Sequence, residues 1–221
     1  MALPAESTAS DFRGLFTLYM AIAIAVAVLV LAAIAYAGIR YRDREDMSPR
    51  QVRGLKQLEG VWVALVTATV VVLLVSTFRT EDRVDAVAGD PQYSVRVVAF
   101  QWGWRFSYPG SGVTVTGNTQ RPPMLAVPSG VPVRFEITSR DVIHSFWVPA
   151  LRFKRDAFPD RVSEFDLTVE PGVSTTGRCA EFCGLGHDGM EFELVSMERG
   201  DFDRWLKGRE RRARSASGGP E

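Results

Sequence analysis

Four residues with soft donor atoms lie within a twelve-residue stretch of this chain. The stretch Cys179–Met190 has the sequence CAEFCGLGHDGM and contains Cys179, Cys183, His187 and Met190. Thiolate and imidazole groups bind copper or zinc in preference to hard cations, and a thioether shifts the preference toward copper. Glycines between these residues allow the backbone to turn tightly around an ion. The stretch therefore predicts a metal site, with copper as the favoured ion.

The second histidine of the chain lies upstream of this stretch. His144 belongs to the segment DVIHSFWVP, and the chain contains only two histidines and two cysteines in total. All four of these residues fall between positions 144 and 187. Such concentration of scarce metal-binding residues adds His144 to the predicted site.

Three alternatives stay open when these residues are considered alone. Two cysteines in an oxidising compartment usually form a disulfide, although a disulfide gives no reason for histidines and a methionine beside it. A mononuclear zinc ion could be held by His144, Cys179, Cys183 and His187 in a tetrahedron. Met190 could simply fill space in a hydrophobic core, as most methionines do.

Two uncharged segments predict how this site is anchored. The segments are Gly14–Ile39 and Gly60–Phe78. As helices they would be roughly 39 and 28 Å long, which matches the hydrocarbon thickness of a bilayer. Buried core helices of a soluble protein are the alternative, but these are seldom so long and so free of charge. The sequence therefore predicts a transmembrane helical hairpin.

The charges that flank these segments predict the orientation of the hairpin. The connection over residues 40–56 carries six basic residues, whereas the N-terminal tail carries only Arg13. Positively charged loops remain in the cytoplasm. We therefore expect the connection to be cytoplasmic, and both the N-terminus and everything after Phe78 to lie outside.

Residues 93–198 have the pattern of an all-β domain. Apolar residues alternate with polar ones in several short runs, as expected for half-buried strands. Turn-forming clusters such as Tyr108-Pro-Gly-Ser-Gly separate these runs, and many short strands of this kind indicate a sandwich or a Greek-key barrel. The alternating apolar positions are Val113 and Val115; Val131, Val133, Phe135 and Ile137; Phe165, Leu167 and Val169; and Phe192 and Leu194.

The domain boundaries follow from these patterns. An N-terminal tail (1–13) precedes the hairpin (14–79), which includes the cytoplasmic loop (40–56), and the extracytoplasmic domain covers residues 80–206. A short helix capped by Asp201 closes that domain. The charged and then Ser/Gly-rich tail (207–221) is predicted to be disordered.

Acidic and basic residues balance at 26 each, so nothing indicates nucleic-acid binding.

The spacing C-x-E-x-C-x-x-x-H-x-x-M, preceded by D-V-x-H-S, resembles the copper A site of cytochrome c oxidase subunit II. The resemblance covers nearly the whole chain, from the hairpin to the cysteine loop. It implies a cupredoxin-like fold for the β-domain and a binuclear copper centre. Cys179 and Cys183 would bridge two copper ions, His144 and His187 would each bind one ion, and Met190 would be a weak ligand.

The same resemblance assigns roles to three further residues. The carbonyl of Glu181 would bind copper, and its side chain would reach a magnesium ion at the interface with subunit I. Trp102, in the segment FQWGWRF, would receive the electron from the donor, although without the resemblance an ordinary sheet aromatic is the commoner role for such a residue. Glu59, before the second apolar segment, resembles a glutamate at the entrance of a proton pathway, although acids that flank membranes are usually just solvated.

By this resemblance, the chain accepts single electrons from cytochrome c, or from an equivalent haem c domain, and passes them to the haems of subunit I, where oxygen is reduced to water. The chain itself would transfer electrons without reducing oxygen. No C-x-x-C-H motif is present, so the haem of the donor belongs to another polypeptide or subunit. We expect contacts with subunit I, further oxidase subunits and membrane lipid, in a bacterial plasma membrane with the copper domain on its outer face.

Other families share parts of this pattern. A copper A subunit of a nitric oxide reductase would have the same hairpin and the same site. Nitrous oxide reductase shares the motif but needs a large second domain, and subunit II of a quinol oxidase lacks the cysteines. A membrane-anchored copper chaperone would be expected to have an open, exchangeable site rather than this closed one.

Overall fold

A computed structural model describes residues 8–42, 54–87, 89 and 91–217 of the chain. Most of the predicted cytoplasmic loop (40–56) lies outside the described residues, as do the start of the N-terminal tail and residues 218–221. The described chain divides into two compact units. One unit covers Phe12–Arg83, and the β-domain lies in the other, which begins again at Val84.

Two long helices form the first part of the chain. Helix α1 covers Thr8–Arg40 and helix α2 covers Lys56–Val84. Both are long and apolar enough to cross a membrane, and their apolar windows are not buried within the protein. Each helix extends beyond the uncharged segment that predicted it, because charged residues at the ends of a span can continue the helix into the interfacial region.

A polar contact joins the two helices inside their apolar region. The hydroxyl groups of Tyr19 and Thr77 lie 2.5 Å apart. Thr77 also donates a hydrogen bond to the Leu73 carbonyl at 2.8 Å. Polar side chains in a hydrocarbon environment need partners within the protein, and helix-to-helix hydrogen bonds or bonds to the preceding turn supply them.

The second unit contains two five-stranded sheets. Their strand orders are β3-β2-β1-β5-β8 and β4-β10-β9-β6-β7. Strands β1 and β5 are parallel, as are β4 and β10, whereas the remaining pairs are antiparallel. The predicted β-sandwich is thus confirmed. The strands are β1 Tyr93–Phe100, β2 Gly103–Tyr108, β3 Val113–Asn118, β4 Met124–Pro128, β5 Pro132–Ser139, β6 His144–Val148, β7 Phe153–Ala157, β8 Ser163–Thr168, β9 Ser174–Cys179 and β10 Glu191–Met197.

The core between the sheets comes from the alternation seen in the sequence. Every second residue of β5, beginning with Val133, is buried. Aromatic rings dominate the centre, where Phe146 stacks on Phe192 at 4.7 Å and Trp104 meets Phe192 edge-on at 5.4 Å. Aromatic pairs at such distances stabilise a fold beyond the area they bury. This rigid aromatic layer lies directly beneath the strand ends that carry the candidate ligands.

A third helix closes the chain and is longer than the sequence predicts. Helix α3 covers Arg199–Ser217, whereas the predicted helix starts at Asp201 and gives way to a disordered tail from residue 207. Phe202 is buried, and Trp205 and Leu206 pack against the core as predicted. The helix continues because Lys, Arg, Glu and Ala after Leu206 are good helix formers even where they bury no apolar face.

Candidate metal centre

Two neighbouring strands bring together ligands that are far apart in sequence. His144 is the first residue of β6, and Cys179 is the last residue of β9. These strands pair antiparallel, with Phe146 opposite Cys179. The start of one strand therefore lies beside the end of the other, so that His144 and Cys179 meet at the same edge of the sheet.

The loop between β9 and β10 supplies the remaining candidate ligands. Its two ends are joined by a hydrogen bond from the Cys179 amide to the Met190 carbonyl at 2.9 Å. A second bond, from the His187 amide to the Gly184 carbonyl at 3.1 Å, closes the turn inside the loop. Gly184 has φ +111°, a conformation that residues with a side chain rarely adopt. The glycine predicted to permit a tight turn does so here.

The donor atoms of this loop and of His144 converge. Cys179 Sγ lies 3.8 Å from His144 Nδ1, and Cys183 Sγ lies 3.6 Å from His187 Nδ1. The two sulfur atoms are 3.8 Å apart, and Cys183 Sγ is 3.9 Å from Met190 Sδ. His144, Cys179 and Cys183 place their donor atoms within 4.8 Å of one another and are all buried. The structure thus brings together the ligands predicted from sequence.

These residues fit soft metal ions better than a disulfide or a zinc site. A disulfide needs sulfur atoms about 2.05 Å apart, whereas both cysteines are free here. A single tetrahedral zinc ion would not use the Met190 sulfur, which lies 3.9 Å from Cys183 Sγ in a fully buried position. Two adjacent thiols, with two imidazole nitrogens and a thioether beside them, match the chemistry of copper.

The orientation of His144 is set by a carboxylate. His144 Nε2 donates a hydrogen bond to Asp141 Oδ1 at 2.8 Å, which leaves Nδ1 facing Cys179. Asp141 also accepts bonds from the backbone amides of Gln101 at 2.8 Å and Val142 at 2.7 Å. Histidines that bind metals commonly donate their second N–H to a carboxylate, which fixes the ring and increases its basicity.

The two thiols differ in their acidity. Burial raises the pKa of Cys179, but hydrogen bonds from His144 and the nearby backbone outweigh burial and lower this pKa to about 6. Burial and the adjacent charge of Cys179 raise the pKa of Cys183. Since a metal binds the thiolate, loading of the site must release a proton from Cys183.

Trp102 lies directly against the cysteine loop. Its Nε1 donates a hydrogen bond to the Cys183 carbonyl at 3.0 Å. A Cβ atom added to Gly186 would lie 2.7 Å from Cγ and Cδ2 of Trp102. The indole therefore occupies space that any larger residue at position 186 would need. Trp102, which the sequence analysis singles out, is half-buried beside the candidate ligand Cys183.

The remaining predicted site residues have simpler surroundings. The Glu181 carbonyl oxygen lies 3.3 Å from Cys179 Sγ, and the residue is exposed. Glu59 is also exposed and lies in the first turn of α2, in the other unit of the chain.

Comparison with known proteins relates the β-domain to one family. Residues 93–197 match the family model described as cytochrome c oxidase subunit II, periplasmic domain. Cytochrome c oxidase subunit 2 of Alkalihalophilus pseudofirmus is 36% identical over 181 residues, which are 79% of this chain and 51% of the relative. Residues 93–197, which contain the ten strands, belong to the cytochrome c oxidase subunit II family. A probable subunit 2 of Rickettsia felis is 27% identical over 195 residues, 81% of this chain and 62% of that protein.

A solved structure of the subunit II family has the same fold as the β-domain. The periplasmic domain of subunit II of cytochrome oxidase from Bradyrhizobium japonicum is 25% identical, with a TM-score of 0.51. The match covers 57% of this chain and 99% of that structure. The predicted cupredoxin-like class is thereby confirmed. With its two apolar helices, the chain is a membrane-anchored subunit with a periplasmic-type domain.

The chain spans only about half to two thirds of the length of these subunit II relatives, 51% and 62% for the two proteins named.

One contact of the site was not predicted from the sequence. Gln101 Nε2 donates a hydrogen bond to the Cys183 carbonyl at 2.8 Å, the same oxygen that Trp102 contacts. Asp141 could have been found as a partner for His144 from its position three residues earlier. Gln101 gave no such signal, because its distance from Cys183 in sequence is 82 residues.

Proposed function

We propose that this chain is the electron-accepting subunit of a respiratory cytochrome c oxidase. It takes single electrons from cytochrome c, or from a haem c domain, and passes them to the haems of subunit I, which reduces oxygen to water. The observation that carries the proposal is the pair of free, buried thiols 3.8 Å apart, flanked by two imidazole nitrogens and a thioether sulfur.

A binuclear copper A centre, when bound, supplies a one-electron carrier whose charge is shared by two metal ions. Cys179 and Cys183 would bridge the ions, His144 and His187 would each hold one, and Met190 would be a weak ligand. The Glu181 carbonyl is the sixth donor. This assignment is supported by the 3.3–3.9 Å distances among sulfur atoms, ring nitrogens and the carbonyl oxygen.

The protein around these ligands suits electron transfer better than bond chemistry. His144 and Met190 are fully buried, and Cys179 and Cys183 are nearly so. Protein donors would fill the coordination positions of the ions and would leave none open for a substrate. Stacked aromatic rings under the ligands restrict their movement, and a site that moves little on reduction exchanges electrons with a low barrier.

Trp102 is the proposed point of electron entry. Its indole N–H donates to the carbonyl of Cys183, so one hydrogen bond connects the ring to the backbone of a candidate ligand. The residue is partly exposed to solvent, so a donor protein could approach it.

Two further roles rest on the family resemblance. Glu181 is exposed, so its carboxylate is free to bind a magnesium ion at the interface with subunit I. Glu59, in the first turn of α2, is proposed as the entrance of a proton pathway into subunit I. Both residues lie on surfaces where a partner subunit could reach them.

The partners and the location follow from the same proposal. Helices α1 and α2 would cross a bacterial plasma membrane beside subunit I and further oxidase subunits, in contact with lipid. The connection over residues 40–56 would face the cytoplasm because of its basic residues. The copper domain would then lie on the outer face.

Metal analysis and electron paramagnetic resonance of the 221-residue chain, purified in detergent, test the proposal. We expect two coppers per chain and a hyperfine pattern in which one unpaired electron is shared by two copper nuclei. Cys183→Ser should abolish that pattern, whereas Ser215→Ala in the exposed end of α3 should preserve it. One zinc ion, or a Cys179–Cys183 disulfide without metal, would contradict the proposal.

A nitric oxide reductase would differ from an oxidase in its partner subunit, whereas this chain would be the same in both. Purification of the intact complex from native membranes would distinguish the two functions. Turnover with oxygen would support the oxidase, and turnover with nitric oxide alone would favour the alternative.

A further inference from the structure

The exposed residue Gln101 contacts both segments that supply candidate ligands: the segment around His144 and the cysteine loop. The backbone amide of Gln101 donates to Asp141 Oδ2 at 2.8 Å, and Asp141 orients His144. The side-chain amide of the same residue donates to the Cys183 carbonyl at 2.8 Å. Gln101 therefore links the histidine segment to the cysteine loop without supplying a ligand atom itself.

The cysteine loop packs closely against Gln101 and its neighbour. The carbonyl of Cys183 accepts hydrogen bonds from both Gln101 and Trp102, which fills its two lone pairs. A Cβ atom on Gly184 would lie 3.4 Å from Gln101 Nε2 and 3.1 Å from Trp102 Cζ2. The peptide unit after Cys183 is thus held from one side by two donors.

We infer that Gln101 is a positioning residue that keeps the Cys183 thiol in its ligand position by holding the Cys183 carbonyl. The inference rests on the proposed function, since it assigns Gln101 a part in retaining copper. Outer partners of metal ligands fix ligand geometry, and loss of one weakens metal binding. The contact joins two protein groups, so its effect on Cys183 can also be measured without copper.

Three variants of the 221-residue chain separate hydrogen-bond donation from size and charge. Gln101→Met keeps a side chain of similar length and removes the donor, and Gln101→Glu keeps the shape but can only accept when ionised. Gln101→Ala is a second neutral variant in case the methionine variant does not fold. Gln120→Met, in the exposed turn after β3, is the matched control.

The first measurement uses reduced, metal-free chain in a Cys179→Ser background, where Cys183 is the only thiol. The rate at which a soluble aromatic disulfide reagent modifies Cys183 should rise about fivefold in the Gln101 variants, because one hydrogen bond no longer restrains the loop. The control should match the parent chain. The melting temperature should change by no more than about 3 °C, as for an exposed side chain in a chain of this size.

The second measurement uses copper-loaded chain with both cysteines. We expect about fivefold faster copper loss to a chelator and an altered hyperfine pattern in the Gln101 variants, with neither change in the control. If the neutral Gln101 variants match the control in thiol reactivity, or if only the glutamate variant differs, the inference is overturned. A parent chain without a binuclear copper signal would refute the proposed function, while thiol reactivity would still decide whether Gln101 holds Cys183.

Discussion

The orientation of the His144 ring depends on two neighbouring residues, Asp141 and Cys179. The ring is fully buried, and its two nitrogens face different partners: Asp141 on one side and Cys179 on the other. A buried imidazole without the carboxylate would be free to rotate or to change tautomer. The orientation of the candidate ligand His144 therefore depends on Asp141.

Asp141→Asn should lower copper affinity about tenfold, because the neutral amide orients His144 less firmly and makes its ring a weaker ligand. Competition with a chelator of known affinity measures the effect. Asp188→Asn is a matched control, since Asp188 is exposed and accepts only a local bond from the Gly189 amide at 3.0 Å. Equal affinity in the two variants would show that Asp141 does not support His144.

Tyr108 stabilises the fold at a distance from the metal centre. Its hydroxyl donates to the Ala126 carbonyl at 2.9 Å and accepts from the Ala126 amide at 3.0 Å. The residue is buried, and burial raises its pKa. One side chain thus satisfies two backbone groups of the edge strand β4.

Tyr108→Phe should reduce the free energy of unfolding by about 1–3 kcal/mol, because both backbone groups of Ala126 lose a buried partner. Guanidinium unfolding of the β-domain, followed by tryptophan fluorescence, gives this value. Tyr93→Phe is the comparison, since the Tyr93 hydroxyl makes only a 3.4 Å contact with Asp203. A similar loss in both variants would mean that the Ala126 bonds contribute nothing specific.

At the scale of elements, the shape of the loop between β9 and β10 depends on two glycines, which have no side chain. Gly186 leaves room for the Trp102 ring, and Gly184 adopts a left-handed conformation beside the same ring. Larger residues at either position would push the cysteine loop away from the turn between β1 and β2. The geometry of the candidate ligands therefore depends on Gly184 and Gly186, which supply no ligand atom themselves.

Gly186→Ala should displace Trp102 or the loop, because the new methyl group would lie 2.7 Å from the indole. We expect an altered copper hyperfine pattern and electron uptake from reduced cytochrome c that is slower by about tenfold or more, since a small displacement near the site has large effects on rate. Gly189→Ala meets only Thr119 atoms at 3.4–3.5 Å and should change little. If both variants behave like the parent chain, the fit of Trp102 against Gly186 has no functional role.

At the scale of the whole molecule, the hairpin and the β-domain have different tasks. Helices α1 and α2 expose apolar surface that only lipid or other helices can cover, whereas the β-domain buries its own aromatic core. The candidate ligands all belong to the β-domain. Anchoring and metal binding should therefore be separable.

A fragment that starts at residue 80 should fold in water and bind copper with the same hyperfine pattern as the whole chain. The reason is that all candidate ligands and the aromatic core beneath them lie in residues 93–217. The fragment should still accept electrons, yet fail to restore oxygen consumption when added to an oxidase that lacks this subunit. An unfolded or metal-free fragment would show that the hairpin is needed to form the site.

Local features of the chain were predictable because they follow from repeating chemistry. Uncharged segments marked both long helices, and alternation in Val131–Ile137 marked the faces of β5. The spacing from Cys179 to Met190 gave the donor set of one loop. The length of α3 was missed, because helix propensity alone extends it past the last packed residue, Leu206.

The sequence by itself determined which donor types are present, which faces of the strands are buried and which segments suit a membrane. Only the tertiary structure decided that His144 meets Cys179, 35 residues away, and that Gln101 meets Cys183 across 82 residues. Periodicity reports on each segment separately, whereas these contacts depend on the order of strands in two sheets. That order is fixed by the packing of the whole core, and no single segment contains it.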